Sequence, residues 1–262
     1  MELNTPQGPL FAYTGARDHQ DQQQAVVFIH GTGMDHTVRV LPSRYFARHG
    51  YTVMAIALPA HGRSKGQPAP TIDAMAESVI EAMAAANVAT AALVGHSMGS
   101  LVALSAAARY PDRVRSLALI GSTAPMGVHP DMLKYASDND HGVIDMLTYW
   151  GYSKAAQLGG NENPGMWMAG GTLRLLERAA DDIIHIDLDA CRAYDQGLAH
   201  AGSVQCPTLF ILGERDIMTP VRSAQKLIGA VTDAKVCVID GSGHSLMMER
   251  PNDVLDALIG IV

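Results

Sequence analysis

A serine flanked by glycines stands in the sequence Gly95-His96-Ser97-Met98-Gly99. A serine hydroxyl is a useful nucleophile only when a base removes its proton, and it then attacks carbonyl carbon. The apolar residues 91–94 before this motif are typical of a strand, and the Ala-rich stretch 100–108 after it is typical of a helix. We therefore predict that Ser97 is a nucleophile on a sharp strand-to-helix turn, where small neighbours permit close backbone approach.

Two later loops carry the candidate base and acid. His244 lies in Gly241-Ser242-Gly243-His244, between the last predicted strand and the last predicted helix. Asp216 ends Gly213-Glu214-Arg215-Asp216, directly after another predicted strand. Loops at the carboxyl ends of parallel strands meet at one edge of a sheet. We expect His244 to be the base and Asp216 to orient it, with Glu214 and Asp240 as competing acids.

The oxyanion of a tetrahedral intermediate needs N–H donors that are already in place. One predicted donor is the backbone N–H of Met98, the residue after the nucleophile. The second is expected from Gly31-Thr32-Gly33-Met34, which follows an apolar run at 25–29. Thr32 is favoured over Gly33, but the sequence does not separate them. A phosphate-binding interpretation of this loop is weak because neither Gly-Lys-Ser/Thr nor Gly-x-Gly-x-x-Gly completes it.

Five residues are candidates for substrate binding, although packing explains the aromatic and Met residues equally well: His30, His96, Trp150, Trp167 and Met168. Met and aromatic side chains make adaptable apolar surfaces, while a packing role competes for His96. No His-x-His or His-Glu-x-x-His pattern is present, so no metal site is expected. No cofactor is expected.

The elements that position these residues alternate along the chain. Near-continuous apolar runs predict buried strands at 25–29, 51–58, 91–94, 114–121, 208–212 and 235–239, and helical stretches occur at 72–86, 98–110, 221–230 and 252–259. This alternation predicts a mostly parallel sheet with crossover helices. Residues before Phe28 are expected to add an antiparallel hairpin at one edge.

The alternation stops at residues 126–200, a stretch that is rich in Met, Trp and Gly and lacks a strand-like run. Helical patches at 141–149 and 172–180 flank a Gly/Asn-rich section, 158–165. We predict an α/β core formed by residues 1–125 and 201–262, with a helical lid at 126–200.

Composition narrows the classes of function. The 262 residues carry a net charge of −7 and no Lys/Arg cluster, so a nucleic-acid partner is not expected. No apolar run approaches the roughly 20 residues of a membrane span, and no secretory signal is apparent. Three widely spaced cysteines predict reduced, buried thiols in a cytoplasmic protein. The expected partner is a small acyl substrate, and an exposed apolar lid face is compatible with a homodimer.

These motifs together resemble the α/β-hydrolase fold superfamily, in its lid-bearing esterase and lipase-like branch, over essentially the whole chain. The resemblance rests on His30-Gly31-Thr32-Gly33, on the motif around Ser97, and on the Ser97–Asp216–His244 order of this fold. It implies an eight-stranded sheet and a Ser-His-Asp triad. The chain departs from the family at Ala57 and Ala60, where relatives often carry Asp and Gly. Dehalogenase and epoxide-hydrolase relatives are disfavoured because they use an Asp nucleophile.

The expected reaction is hydrolysis of a carboxylic ester, or a related acyl compound, through an acyl-enzyme. Two alternatives remain open. Relatives with the same triad cleave carbon–carbon bonds or open enol-lactones in aromatic catabolism. A small-molecule receptor that kept the triad but turns over negligibly is the alternative from another class.

Overall fold

The protein is described by a computed structural model over residues 1–17, 24–160, 162 and 165–262. Its strands are β1 (Glu2–Thr5), β2 (Gly8–Tyr13), β3 (Ala25–Ile29), β4 (Thr52–Ala57), β5 (Ala91–His96), β6 (Val114–Ile120), β7 (Thr208–Gly213) and β8 (Lys235–Ile239). They form one eight-stranded sheet in the order β1-β2-β4-β3-β5-β6-β7-β8. β1 and β2 form an antiparallel hairpin, β2 also pairs antiparallel with β4, and the remaining five pairings are parallel. The predicted fold class and edge hairpin are thereby confirmed.

The α-helices are α1 (Val40–Arg48), α2 (Ile72–Ala85), α3 (Met98–Arg109), α4 (Pro130–Ser137), α5 (Gly142–Gly151), α6 (Lys154–Gln157), α7 (Met168–Leu176), α8 (Ile183–Ala193), α9 (Gly197–Ser203), α10 (Val221–Ala230), α11 (Leu246–Glu249) and α12 (Pro251–Ile259). Helices α2, α3 and α10 cover one face of the sheet, and α1 and α12 cover the other. The central strands are buried on both faces for this reason, as their unbroken apolar sequences predict.

β8 differs from the prediction of a buried strand. Lys235, Val236 and Val238 are exposed, because β8 is the last strand of the sheet and has a neighbour on one side only. The prediction of three buried thiols is also wrong in part. All three cysteines are free, but only Cys191 is buried, while Cys206 and Cys237 are half-exposed.

The chain between β6 and β7 holds α4–α9, and no strand occurs among its described residues. Two small apolar clusters of its own, around Leu188 and around Tyr152, hold these helices together. The boundary predicted at residue 200 falls inside α9, which packs against α3 of the core. Across the described ranges, no helix combines the length and hydropathy needed to cross a membrane.

Candidate active site

Ser97 occupies the turn between β5 and α3, where its backbone adopts φ 53° and ψ −123°. A positive φ is strained for a residue with a Cβ and commonly marks a functional position. Two glycines permit the turn: a Cβ on Gly95 would collide with the carbonyl oxygen of Gly99, and one on Gly99 would collide with that of His30. The Ser97 N–H donates to the carbonyl oxygen of Ile120 at 2.9 Å, which fixes the turn to the neighbouring strand β6.

Asp216 and His244 meet across the loops that follow β7 and β8. The His244 Nδ1–H donates to Asp216 Oδ2 at 2.7 Å, and both side chains are buried. Asp216 Oδ1 accepts the backbone N–H groups of Met218 and Thr219, each at 2.8 Å. The Thr219 hydroxyl donates to Asp216 Oδ2 at 2.6 Å. The carboxylate is therefore held in one orientation from both of its oxygens.

The charge of Asp216 follows from these contacts. Burial alone raises the pKa of a carboxyl group. Here the charge and hydrogen bond of His244, with the donors of Thr219, outweigh burial and hold the pKa of Asp216 far below its usual value. Asp216 is thus ionised at neutral pH, as a group that stabilises an imidazolium must be.

The loop that carries His244 is fastened to the helices between β6 and β7. Glu249 Oε1, which is buried, accepts the N–H of Gly243 at 3.0 Å and that of Ser153 at 3.2 Å. Beneath the ring, Gly121 leaves room that a side chain would remove, since a Cβ there would lie 3.0 Å from the imidazole.

Ser97 and His244 line one cavity of about 370 Å³. His244 Nε2 is buried, and no residue in the described ranges hydrogen-bonds to it, so this nitrogen is free to take a proton. The rest of the wall is mostly apolar and includes Met126, Met132, Leu147, Trp150, Leu188 and Met218. A second cavity, of about 340 Å³, shares Met34, His96 and Ser245 with the first.

The loop after β3 faces Ser97 and supplies the candidate oxyanion donors. The Gly33 N–H donates to Asp187 Oδ2 at 2.8 Å and is therefore occupied. Within the described part of the chain, no acceptor takes the N–H of Thr32, and Thr32 lines the cavity. The N–H of Met98 begins α3 and so has no acceptor within the helix. The geometry thus favours Thr32 over Gly33.

The five candidate substrate-binding residues are placed differently. Trp150 and His96 line the cavity. His96 also donates from Nε2 to the carbonyl oxygen of His244 at 2.9 Å, and burial, followed by the nearby His244, lowers its pKa well below the usual value. His30 is fully buried away from the cavity: its Nδ1–H donates to Gly31, and its Nε2 accepts the N–H of Leu58.

Trp167 and Met168 also lie away from the cavity wall. Trp167 is 67% exposed and packs over Gly170. Met168 is buried in the cluster around Tyr152. A side chain at either position does not contact the space in front of Ser97.

The competing acids do not reach His244. Glu214 Oε2 accepts the N–H of Gly241 at 2.9 Å, and Asp240 is exposed at the end of β8. In the described ranges, no group of three His, Cys, Asp or Glu residues is arranged to hold a metal ion.

The sequence reasoning missed Thr219 and Asp187. Thr219 carries a detectable signal, since an Asp side chain commonly accepts backbone N–H groups a few residues later in a turn, and Thr219 is the polar residue three positions after Asp216. Asp187 carries none, because it lies 154 residues from the glycine that it contacts.

The strand order and the turn at Ser97 define the class of the protein as an α/β hydrolase. A family model described as alpha/beta hydrolase fold matches residues 24–169, more than half of the chain, and the protein belongs to this family. A second model, described as a TAP-like protein, matches residues 189–260.

Individual relatives are distant. A pimeloyl-[acyl-carrier protein] methyl ester esterase of Chromobacterium violaceum is 28% identical, over 89% of this chain and 92% of its own. An (E)-2-((N-methylformamido)methylene)succinate hydrolase of Acinetobacter baylyi is 24% identical, over 91% and 90%. The crystal structure of an enol-lactonase from Burkholderia xenovorans superposes with a TM-score of 0.89 at 19% identity, covering 99% of this chain and 98% of that one. This structural likeness concerns the fold.

Proposed function

We propose that the protein is a serine hydrolase that cleaves carboxylic esters through an acyl-enzyme, with Ser97 as nucleophile, His244 as base and Asp216 as the orienting acid. The observation that carries this proposal is the buried Asp216–His244 pair, whose free Nε2 opens on the same cavity as Ser97. A base held by a carboxylate beside a strained serine is the arrangement that activates a hydroxyl.

The reaction proceeds in two halves. Ser97 Oγ attacks the ester carbonyl carbon while His244 Nε2 takes the hydroxyl proton, and the N–H groups of Thr32 and Met98 stabilise the oxyanion. The C–O bond then breaks, and the alcohol leaves with the proton held by His244. Water attacks the acyl-enzyme with His244 again as base, which releases the acid and restores Ser97.

The cavity supports an apolar acyl group of modest size. Its volume of about 370 Å³ lies at the low end of the roughly 300–1,000 Å³ usual for small-ligand sites. We propose residues 126–200 as the lid, since Trp150, Met132 and Leu188 of this segment form part of the wall. A homodimer, a cytoplasmic location and the absence of a nucleic-acid partner stay predictions.

Lactones are the second candidate substrates, because a lactone is an internal ester and a neighbour of the same fold is named an enol-lactonase. The name of the relative from Acinetobacter baylyi supports testing acidic enamides as substrates as well. The mechanism is unchanged for a lactone, except that the leaving alcohol stays attached to the acyl group.

The test compares wild type with Ser97→Ala on p-nitrophenyl esters of two to ten carbons and on simple lactones. We expect Ser97→Ala to lower kcat by about 10⁶-fold and to abolish labelling by a fluorophosphonate probe. Ser203→Ala, an exposed serine on α9, is the matched control and should retain both. Equal hydrolysis by wild type and Ser97→Ala would remove Ser97 as the nucleophile. Binding of esters without turnover by wild type would instead favour a receptor.

A further inference from the structure

We propose that Asp187, paired with His61, is a positioning residue that presets the oxyanion loop. The inference rests on the proposed function and concerns how its oxyanion donors are held. Asp187 lies on α8, between β6 and β7, whereas the loop it contacts follows β3. The contact therefore joins the helices over the cavity to the oxyanion loop.

Two donors converge on one carboxylate oxygen. Asp187 Oδ2 accepts the Gly33 N–H at 2.8 Å and the His61 Nε2–H at 3.0 Å. Asp187 and His61 are almost completely buried. Burying a carboxylate costs free energy unless it is paired and hydrogen-bonded. The donors on Gly33 and His61 therefore hold Asp187 in place against the oxyanion loop.

His61 is held as a cation. Its Nδ1–H donates to the carbonyl oxygen of Pro59 at 2.9 Å, so both ring nitrogens act as donors. Burial lowers the pKa of His61, but the charge and hydrogen bond of Asp187 outweigh burial, with the Pro59 contact and the Asp35 charge adding to them, and the pKa is raised. The neutral ring of His30 lies 4.8 Å away, between centroids. The pair is thus an imidazolium beside a carboxylate.

Helix α8 also meets the same loop beyond Asp187. Cys191, one helical turn after Asp187, lines the cavity together with Thr32. The Ile184 side chain packs against Gly33, where an added Cβ would lie only 2.8 Å from it. Gly33 has φ +65°, a conformation that favours glycine. With the Gly33 N–H committed to Asp187, the neighbouring N–H of Thr32 is left for the oxyanion.

The convergence on one oxygen makes two substitutions informative. Asp187→Ala removes the acceptor of Gly33 and the counter-charge of His61 together. Asp187→Asn can keep an oxygen for the Gly33 N–H but leaves His61 without a counter-charge. If Asp187 positions the loop, Asp187→Ala should therefore lower kcat more than Asp187→Asn does.

The experiment measures kcat, KM and inhibition by an arylboronic acid, which forms a tetrahedral adduct with a catalytic serine, for Asp187→Ala, Asp187→Asn and Asp189→Ala. Asp189 is an exposed carboxylate on the same helix, paired with Arg192, and serves as the matched control. Misplacement of a catalytic group by about 1 Å lowers rates by about 10²-fold. For Asp187→Ala we expect kcat to fall by about 10²-fold, the boronate inhibition constant to rise by the same factor, and KM to change little. For Asp187→Asn we expect changes of about 10-fold in kcat and in the inhibition constant.

A role confined to stability gives a different result. Folded Asp187→Ala would then melt at a lower temperature but match Asp189→Ala in kcat and boronate inhibition, which overturns the proposal. A rise in KM alone would overturn it as well. If Asp187→Ala does not fold, Asp187→Asn decides: wild-type kcat and boronate inhibition refute positioning. Full activity of Ser97→Ala would instead refute the proposed function, whatever the Asp187 variants show.

Discussion

Asp216→Asn is expected to inactivate the enzyme by imposing the wrong tautomer on His244. The backbone N–H groups of Met218 and Thr219 both donate to Asp216 Oδ1. In the variant, the amide oxygen must occupy this position, because an NH₂ group there would face two donors. The amide nitrogen is then placed where Oδ2 lies, 2.7 Å from His244 Nδ1.

This orientation reverses the hydrogen bond to His244. The amide NH₂ donates to Nδ1, so the imidazole proton moves to Nε2, the nitrogen that must accept the Ser97 proton. Loss of the correct tautomer lowers kcat by about 10⁴-fold in enzymes with such a triad, equivalent to about 5.4 kcal/mol at about 1.36 kcal/mol per tenfold. The fold should persist, because the Thr219 hydroxyl can turn to accept from the new amide.

The assay is hydrolysis of p-nitrophenyl butyrate at neutral pH, with circular dichroism as a check of folding. Asp240→Asn, an exposed carboxylate after β8, is the control and should retain full activity. A folded Asp216→Asn protein with kcat within about tenfold of wild type would refute the reasoning. Inactivation by Asp240→Asn or Glu214→Gln, with Asp216→Asn active, would move the acid to a different residue.

Two further predictions concern buried charge. The pKa of His61 is raised in the folded state, so its pair with Asp187 contributes its full stabilisation below about pH 6.5, and this stabilisation is lost as the pH rises through the folded-state pKa. In urea unfolding, the difference in free energy of unfolding between wild type and His61→Gln should therefore narrow from pH 6 to 9. A difference that widens over this range would contradict the pairing. Arg39 is buried and, among the described residues, its guanidinium has no hydrogen-bond partner, while burial lowers its pKa to about 9. Arg39→Met should therefore raise the free energy of unfolding by about 1 kcal/mol or more, whereas a lower melting temperature would reveal a partner for the cation.

The sequence predicted those parts of the fold whose signal is local. The run at 25–29 is apolar throughout and is the observed β3, and α3 ends at Arg109, one residue before the predicted end and two before Pro111, which cannot continue a helix. Helix α1 was missed because Pro42 stands in its first turn and only Ser43, Phe46 and Ala47 are buried. A proline is tolerated in a first helical turn, but the apolar pattern that remains is too short to indicate a helix.

The exposure of β8 could not be predicted from its sequence for a different reason. Its residues are mostly apolar and partly β-branched, which favours a strand, and a strand is what forms. Whether a strand lies at the centre or at the edge depends on the order of the sheet. That order is set by crossovers between elements far apart in sequence, so local hydropathy does not determine it.

Local sequence patterns likewise predict only part of the candidate site. Ser97, Asp216 and His244 each follow a strand, and strand ends in a parallel sheet meet at one edge, so their proximity follows from local patterns plus topology. The choice between Thr32 and Gly33 as oxyanion donor does not follow from local patterns, because it depends on which backbone N–H already has an acceptor. Asp187 accepts the Gly33 N–H from a helix 154 residues further along the chain, in a segment without strand periodicity. In the proposed mechanism, this tertiary contact leaves the Thr32 N–H as the oxyanion donor and makes the helices over the cavity part of the catalytic geometry.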